Sequence, residues 1–310
     1  MHSTTARLTA FATCLLLAMP ALAQWDDARW YKVELLVLAQ PQGSAAERWP
    51  ASPDLAYPAS WRFLVPLSAA DGQAYDAQGR QVVDQRTAPA EDDSASVAGT
   101  AATALPANYS LLPRADREFR GKAAYMQRNA GYRILFHEHW LQGFVEGKSP
   151  PAIIVDSAAQ QGSWPELQGT VKLSLSRFLH LETNLWLNTD GRYLDGAWQM
   201  AAPPQSPAAI LLLEDEFTDA EAALERSTEA AAGAAAAVAL PAAIDDNGTA
   251  NTDVGPQYPF RHAVHMQQKR RMRSNEVHYL DHPMLGVIAK ITPLDAEELD
   301  AYVAGSRSVQ

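Results

Sequence analysis

The stretch VKLSLSRFLHLETNLWL, residues 171–187, decides how the rest of the chain is read. Val171, Leu173, Leu175, Leu179, Leu181, Leu185 and Leu187 fall on one side of a two-residue period. Lys172, Ser174, Ser176, Phe178, His180, Glu182, Asn184 and Trp186 fall on the other. Successive side chains of a strand point to opposite faces, so this is strand chain with one buried and one wet face. Parallel sheets are covered on both sides, so the asymmetry marks an antiparallel sheet. As a single strand the stretch would run about 55 Å, whereas strands rarely exceed about ten residues. Arg177 interrupts the apolar side, and a bulge or strand break belongs near it.

Working outward, WYKVELLVLAQ (residues 30–40) is apolar enough for a central strand. Between Pro113 and Ala130, the residues Ala115, Phe119, Ala123, Met126 and Ala130 recur at helical spacing. Pro113 suits an early helix position and Gly131 a stop. Gly121 inside that helix costs ~1 kcal/mol, so the helix needs a docking face. YRILFHEHWLQ (132–142) and AIIVD (152–156) are further strands. His262 to Pro283 and Gly286 to Pro293 read as two strands joined at Asp281–Gly286, where Pro283 and Gly286 carry turn chemistry. One helix among five or more alternating strands predicts an α+β fold with a largely antiparallel sheet and at least one docked helix. Residues 87–108 and 229–257 are low-complexity excursions with too little apolar surface to offset ordering entropy.

The first residues set the expected compartment. MHSTTAR carries Arg7, LTAFATCLLLAMP is a short apolar run, and ALA precedes Gln24. This is the pattern of a secretory signal peptide, residues 1–23, cleaved after Ala23. The run is short for a span, which needs about 20 apolar residues. The mature chain, residues 24–310, is then a single domain in the periplasm without a membrane span. Its formal charge moves from −11 to −12 with the loss of Arg7, and the only cysteine, Cys14, is removed. Disulfides, thiolate ligands and a cysteine nucleophile are thereby excluded. An acidic chain is also a poor nucleic-acid binder.

Catalytic patterns are thin. His137, His139 and His278, with Asp281 or Glu276, are residue types that bind zinc. Their spacing does not fit the helical H-E-x-x-H device, and Pro283 directly after His282 forbids a helix there. Sheet histidines satisfied by hydrogen bonds are the commoner reading. No G-x-S-x-G and no glycine-rich phosphate loop occurs. No metal and no cofactor is expected. Lys269, Arg270, Arg271 and Arg273 stand out as a basic run in an acidic chain. Arginine forks suit carboxylates, and Trp140, Trp186 and Tyr279 are aromatic plates for sugar rings. A charged edge strand that blocks aggregation is the competing account of this run.

RRMRSNEVHYLDHPMLGVIAKITP resembles the C-terminal signature of the CsiV family, exported peptidoglycan-binding proteins of Gram-negative bacteria linked to cell-shape integrity. YKVELLVLAQ followed by ERWP is similar to the family's opening strand, YRILFHEHWLQ to its central strand, and LQGTVKLSLSRFLHLETNLWL to its long strand. The resemblance implies peptidoglycan binding without catalysis, in support of cell-wall assembly. Expected ligand contacts are Arg270, Arg271, Arg273, Glu276, His278, Tyr279, Trp140, His180 and Trp186, with Arg271 and Arg273 on stem-peptide carboxylates. Asp281, His282, Pro283 and Gly286 are expected to shape a turn. Two other readings stay open. One is an adaptor that regulates a cell-wall synthase with weak glycan contact; the other is a metal-dependent hydrolase.

Overall fold

The computed structural model describes residues 28–41, 49–67, 73–84, 108–157, 163–213 and 257–307. The expected signal peptide and nearly all of both low-complexity stretches lie outside them. In chain order the strands are β1 (Arg29–Ala39), β2 (Trp61–Arg62), β3 (Val65–Pro66), β4 (Ala74–Tyr75), β5 (Gln81–Asp84) and β6 (Ser110–Leu111). Helix α1 (Arg120–Asn129) follows, then β7 (Arg133–Phe144), β8 (Ala152–Ile154), β9 (Leu167–Leu175), β10 (Leu179–Thr189) and β11 (Ile210–Leu213). β12 (His262–Met272), β13 (Val277–Asp281), β14 (Leu285–Pro293) and α2 (Ala296–Arg307) complete the order.

The described chain is mostly sheet with two short helices, broadly α+β. The first sheet runs β13-β14-β1-β7-β6-β3, the second β12-β10-β9-β8-β2, and a small third β11-β5-β4. All long pairings are antiparallel. The first two sheets stack face to face. Val33, Leu35 and Val37 of β1, with Val287 and Ile291 of β14, pack into one core with Leu173 of β9, Leu181 and Leu185 of β10 and Met266 of β12. The alternating leucines of 171–187 are therefore the second sheet's inner face. Each such fully buried side chain contributes roughly 1.5–3 kcal/mol.

β1 is buried on both sides, which explains its almost unbroken apolar run. Its outward Leu36 meets Phe119, the residue just before α1, and Ala123 of α1. Trp30 meets Leu299 of α2 and Leu112. The one acid in the strand, Glu34, is only 3 % exposed. It accepts the backbone N–H groups of Glu118 and Phe119 at 2.8 and 2.9 Å, just where α1 begins with no side-chain cap of its own. A strand carboxylate thus satisfies donors that a helix start leaves orphaned. Burial pushes the Glu34 pKa up, but hydrogen bonds from His137 and those two amides outweigh it and hold the group below the ordinary value.

Three expectations change. The helix expected from Pro113 to Ala130 is a 3₁₀ turn at Arg114–Asp116 followed by α1. His262–Pro283 is two strands, because Arg273–Glu276 turns with Asn275 at φ 63 and carries the chain from the second sheet to the first. A second helix, α2, closes the described chain.

Candidate ligand-binding face

The second sheet's outer side is half covered. Residues 49–60 run across it as a strap. Trp49 stacks on His282 at 5.1 Å, the His262 ring reaches the Pro50 carbonyl at 2.8 Å, and Asn184 Nδ2 donates to the Ala56 carbonyl at 2.8 Å. Tyr57 donates to Asp156 at 2.6 Å, as does Ser206. Asp156 also accepts the Gly169 N–H at 2.7 Å. Burial nevertheless pushes the Asp156 carboxyl up to about 6, against the pull of these three donors. Beneath the strap, Trp186 packs with Leu55 and Ala263.

Beyond the strap the face is open. Its strand register sets three rows of directly opposed side chains. The first is Ser174–His180–Arg271, the second Lys172–Glu182–Lys269, the third Thr170–Asn184–Gln267. A groove of about 710 Å³ covers the second and third rows and is walled by Pro58, Ser60, Ser149, Pro150 and Ala152. Lys269 pairs with Glu182 at 2.7 Å, and Lys172 donates to Ser149 at 2.7 Å. At the far end, the turn that breaks the long alternation lifts Phe178 to 42 % exposure. The Arg271 guanidinium lies 4.6 Å from the Phe178 ring centre and that of Arg177 5.6 Å. Among the described residues neither arginine has an acidic partner. Among the described residues of this face, Lys172, Arg177, Lys269 and Arg271 stand beside one acid, Glu182, on a chain of formal charge −11. Guanidinium groups beside an exposed aromatic ring are chemistry that can take a carboxylate.

The structure sorts the expected site residues into three places. His180 and Arg271 sit together on this open face. Arg270, Arg273, Glu276, His278 and Tyr279 lie instead at the seam between the two sheets. Arg270 donates to the Tyr279 carbonyl at 3.3 Å and Gln268 to that of Asp281 at 2.8 Å, so these side chains occupy the carbonyls of edge strand β13. Arg273 lies 3.5 Å from Glu276, and the His278 ring contacts the Arg273 backbone. Tyr279 donates to Asp281 at 2.9 Å, and Gln40 binds both Asp281 and the His282 carbonyl. Pro283 continues that turn, and Gly286 is buried where a Cβ would come within 2.8 Å of Leu38 Cδ1 and 3.0 Å of the Tyr279 ring. The third place is the interior, and it corrects an expectation. Trp140 and Trp186 are fully buried and present no plate to a ligand. Trp140 donates to Gln142 inside the core, and Trp186 donates to Gln168.

His137 binds Glu34 at 2.9 Å, and His139 is fully buried. Among the described residues, no three His, Cys, Asp or Glu side chains converge as metal ligands. No helix among them is long and apolar enough to cross a membrane. Arg177, Phe178, Lys172, Lys269 and Gln267 were not among the expected contacts. The signal for Phe178 was present in the alternation, which already set it on the wet side next to an arginine.

A family model described as "Peptidoglycan-binding protein, CsiV" matches residues 9–294 of the chain. No curated protein and no solved structure matches it.

Proposed function

The chain belongs to the CsiV family of peptidoglycan-binding proteins, and on that premise we propose that it is an exported, non-enzymatic periplasmic protein that supports cell-wall assembly and cell shape. It holds the wall on the open half of the second sheet, through Arg177, Phe178, His180, Lys172, Lys269 and Arg271. The observation that carries this reading is Phe178, exposed and flanked by two arginines that have no acidic partner among the described residues. Peptidoglycan offers the matching chemistry, with hexose faces next to peptides that bear free carboxylates.

Co-sedimentation of the mature chain with insoluble sacculi tests it. The chain should sediment with or without chelator and release no soluble fragments. Binding should weaken with salt, because the Debye length shrinks from about 10 Å at 0.1 M to about 3 Å at 1 M. Arg177→Ala with Arg271→Ala should lose binding while the melting temperature holds. Chelator-sensitive fragment release would point to the hydrolase reading instead. The adaptor reading draws on Val277 and Tyr279, hydrophobic residues 51 % and 42 % exposed on β13, an edge strand of the first sheet. It requires weak sacculus binding that the double arginine variant leaves unchanged.

A further inference from the structure

We infer that the open face reads the stem peptide rather than the glycan chain, as an extended segment laid along β10 and β12 with its terminal carboxylate at Arg177 and Arg271. The inference rests on the peptidoglycan reading and goes further, since it assigns an orientation, a length and a required end group.

The rows set the frame. Two strand residues separate each row from the next, about 6.6 Å. From Arg271 to Gln267 is therefore about 13 Å, the length of about four residues of extended peptide. Chemistry changes in step along that line. The first row, with the Arg177 turn beside it, offers two guanidinium forks that can take a carboxylate bidentately. The second, Lys172–Glu182–Lys269, carries both signs, so it can pair a side-chain carboxylate or a side-chain ammonium. In the third row Asn184 is held by the strap and by His265 at 2.7 Å, which leaves the exposed Gln267 amide for a peptide group. Pro58, Pro150 and Ala152 wall the groove with small apolar surface suited to short side chains.

A bare sugar chain matches this gradient poorly. Its carboxylates, the lactyl groups bared when the peptides leave, recur at every disaccharide, and such a repeat would not meet a cationic row at one end only. Arg177 enters here as a specificity residue, because it supplies the second fork over the same ring as Arg271.

Two comparisons test the inference. The first measures sedimentation with intact sacculi, alone and in competition with soluble glycan strands freed of their peptides by an amidase. The second measures affinity for a synthetic stem tetrapeptide as free acid and as C-terminal amide. Expected are sedimentation with intact sacculi that the stripped strands do not compete away, and at least about tenfold tighter binding of the free acid. In Arg177→Ala/Arg271→Ala that preference should vanish. Arg271→Lys, which keeps charge but not the fork, should retain only part of it. Release from sacculi by the stripped strands, or equal affinity for acid and amide, overturns the inference and leaves peptidoglycan binding standing. Failure of intact sacculi to sediment the chain overturns the peptidoglycan reading itself.

Discussion

Phe178 and Trp186 occupy the same side of one alternating stretch, yet one is exposed and the other fully buried. Periodicity reports the face of a sheet and says nothing of what lies over it. The strap that covers Trp186 carries no alternation, and its Trp49, Pro50, Ala56 and Tyr57 are held by side chains distant in sequence. Trp140 failed as a surface plate for the opposite reason, since its face of β7 turns into the core between the sheets. Phe178→Ala should weaken sacculus binding severalfold, because it removes the plate on which two guanidinium groups rest. Thermal melting should shift by less than about 2 °C, as expected for an exposed side chain.

At the scale of elements, the break near Arg177 was legible because strand length has a ceiling and an arginine interrupted the leucines. The break at Arg273–Glu276 was not. Polar residues continue through it on both sides, so no pattern change marks the passage from one sheet to the other. α2 was hidden by its acidic start, Asp295–Glu298, where each side chain binds the other's backbone N–H and opens the helix. Two glycines make opposite predictions. Gly169 of β9 has φ +124, and a Cβ there would meet the Asn184 carbonyl at 2.1 Å and Leu185 Cα at 2.9 Å. Gly169→Ala should cost about 3 kcal/mol or more and lower the melting temperature by at least about 6 °C. Gly121 of α1 has open space around it. Gly121→Ala should stabilise by about 0.5–1 kcal/mol, through helix propensity alone. A melting comparison of the two variants checks both, and a similar response from each would contradict the backbone assignment.

Across the whole molecule, two buried groups pull stability in opposite directions with pH. Burial pushes His139 down to about 4 from an ordinary 6.5, with Arg117 and Lys32 adding to the push and Glu34 opposing it. Between those values the unfolded chain takes up a proton that the folded chain refuses, so stability falls as pH drops from 6.5 toward 4. His262, His265 and His282 are lowered by burial as well and act in the same direction. Asp156 works against them. Its folded value of about 6 exceeds the ordinary 3.8, so its contribution is fully present below 3.8 and is lost as pH rises through 6. Urea unfolding across pH 4–7 should show net loss of stability on acidification. His139→Phe should flatten that slope by about one proton, and Asp156→Asn should steepen it. A slope unchanged by either substitution would contradict the burial assigned to these groups.

The central claim is that the wall is held by the open half of the second sheet, and backbone amide shifts on adding soluble peptidoglycan fragments test it most directly. The account expects the largest shifts at residues 172–184 and 265–271, with the 176–178 turn foremost, and little change at the 273–281 seam. Shifts confined to Glu276–Asp281, with the Arg177–Phe178 turn silent, would contradict it.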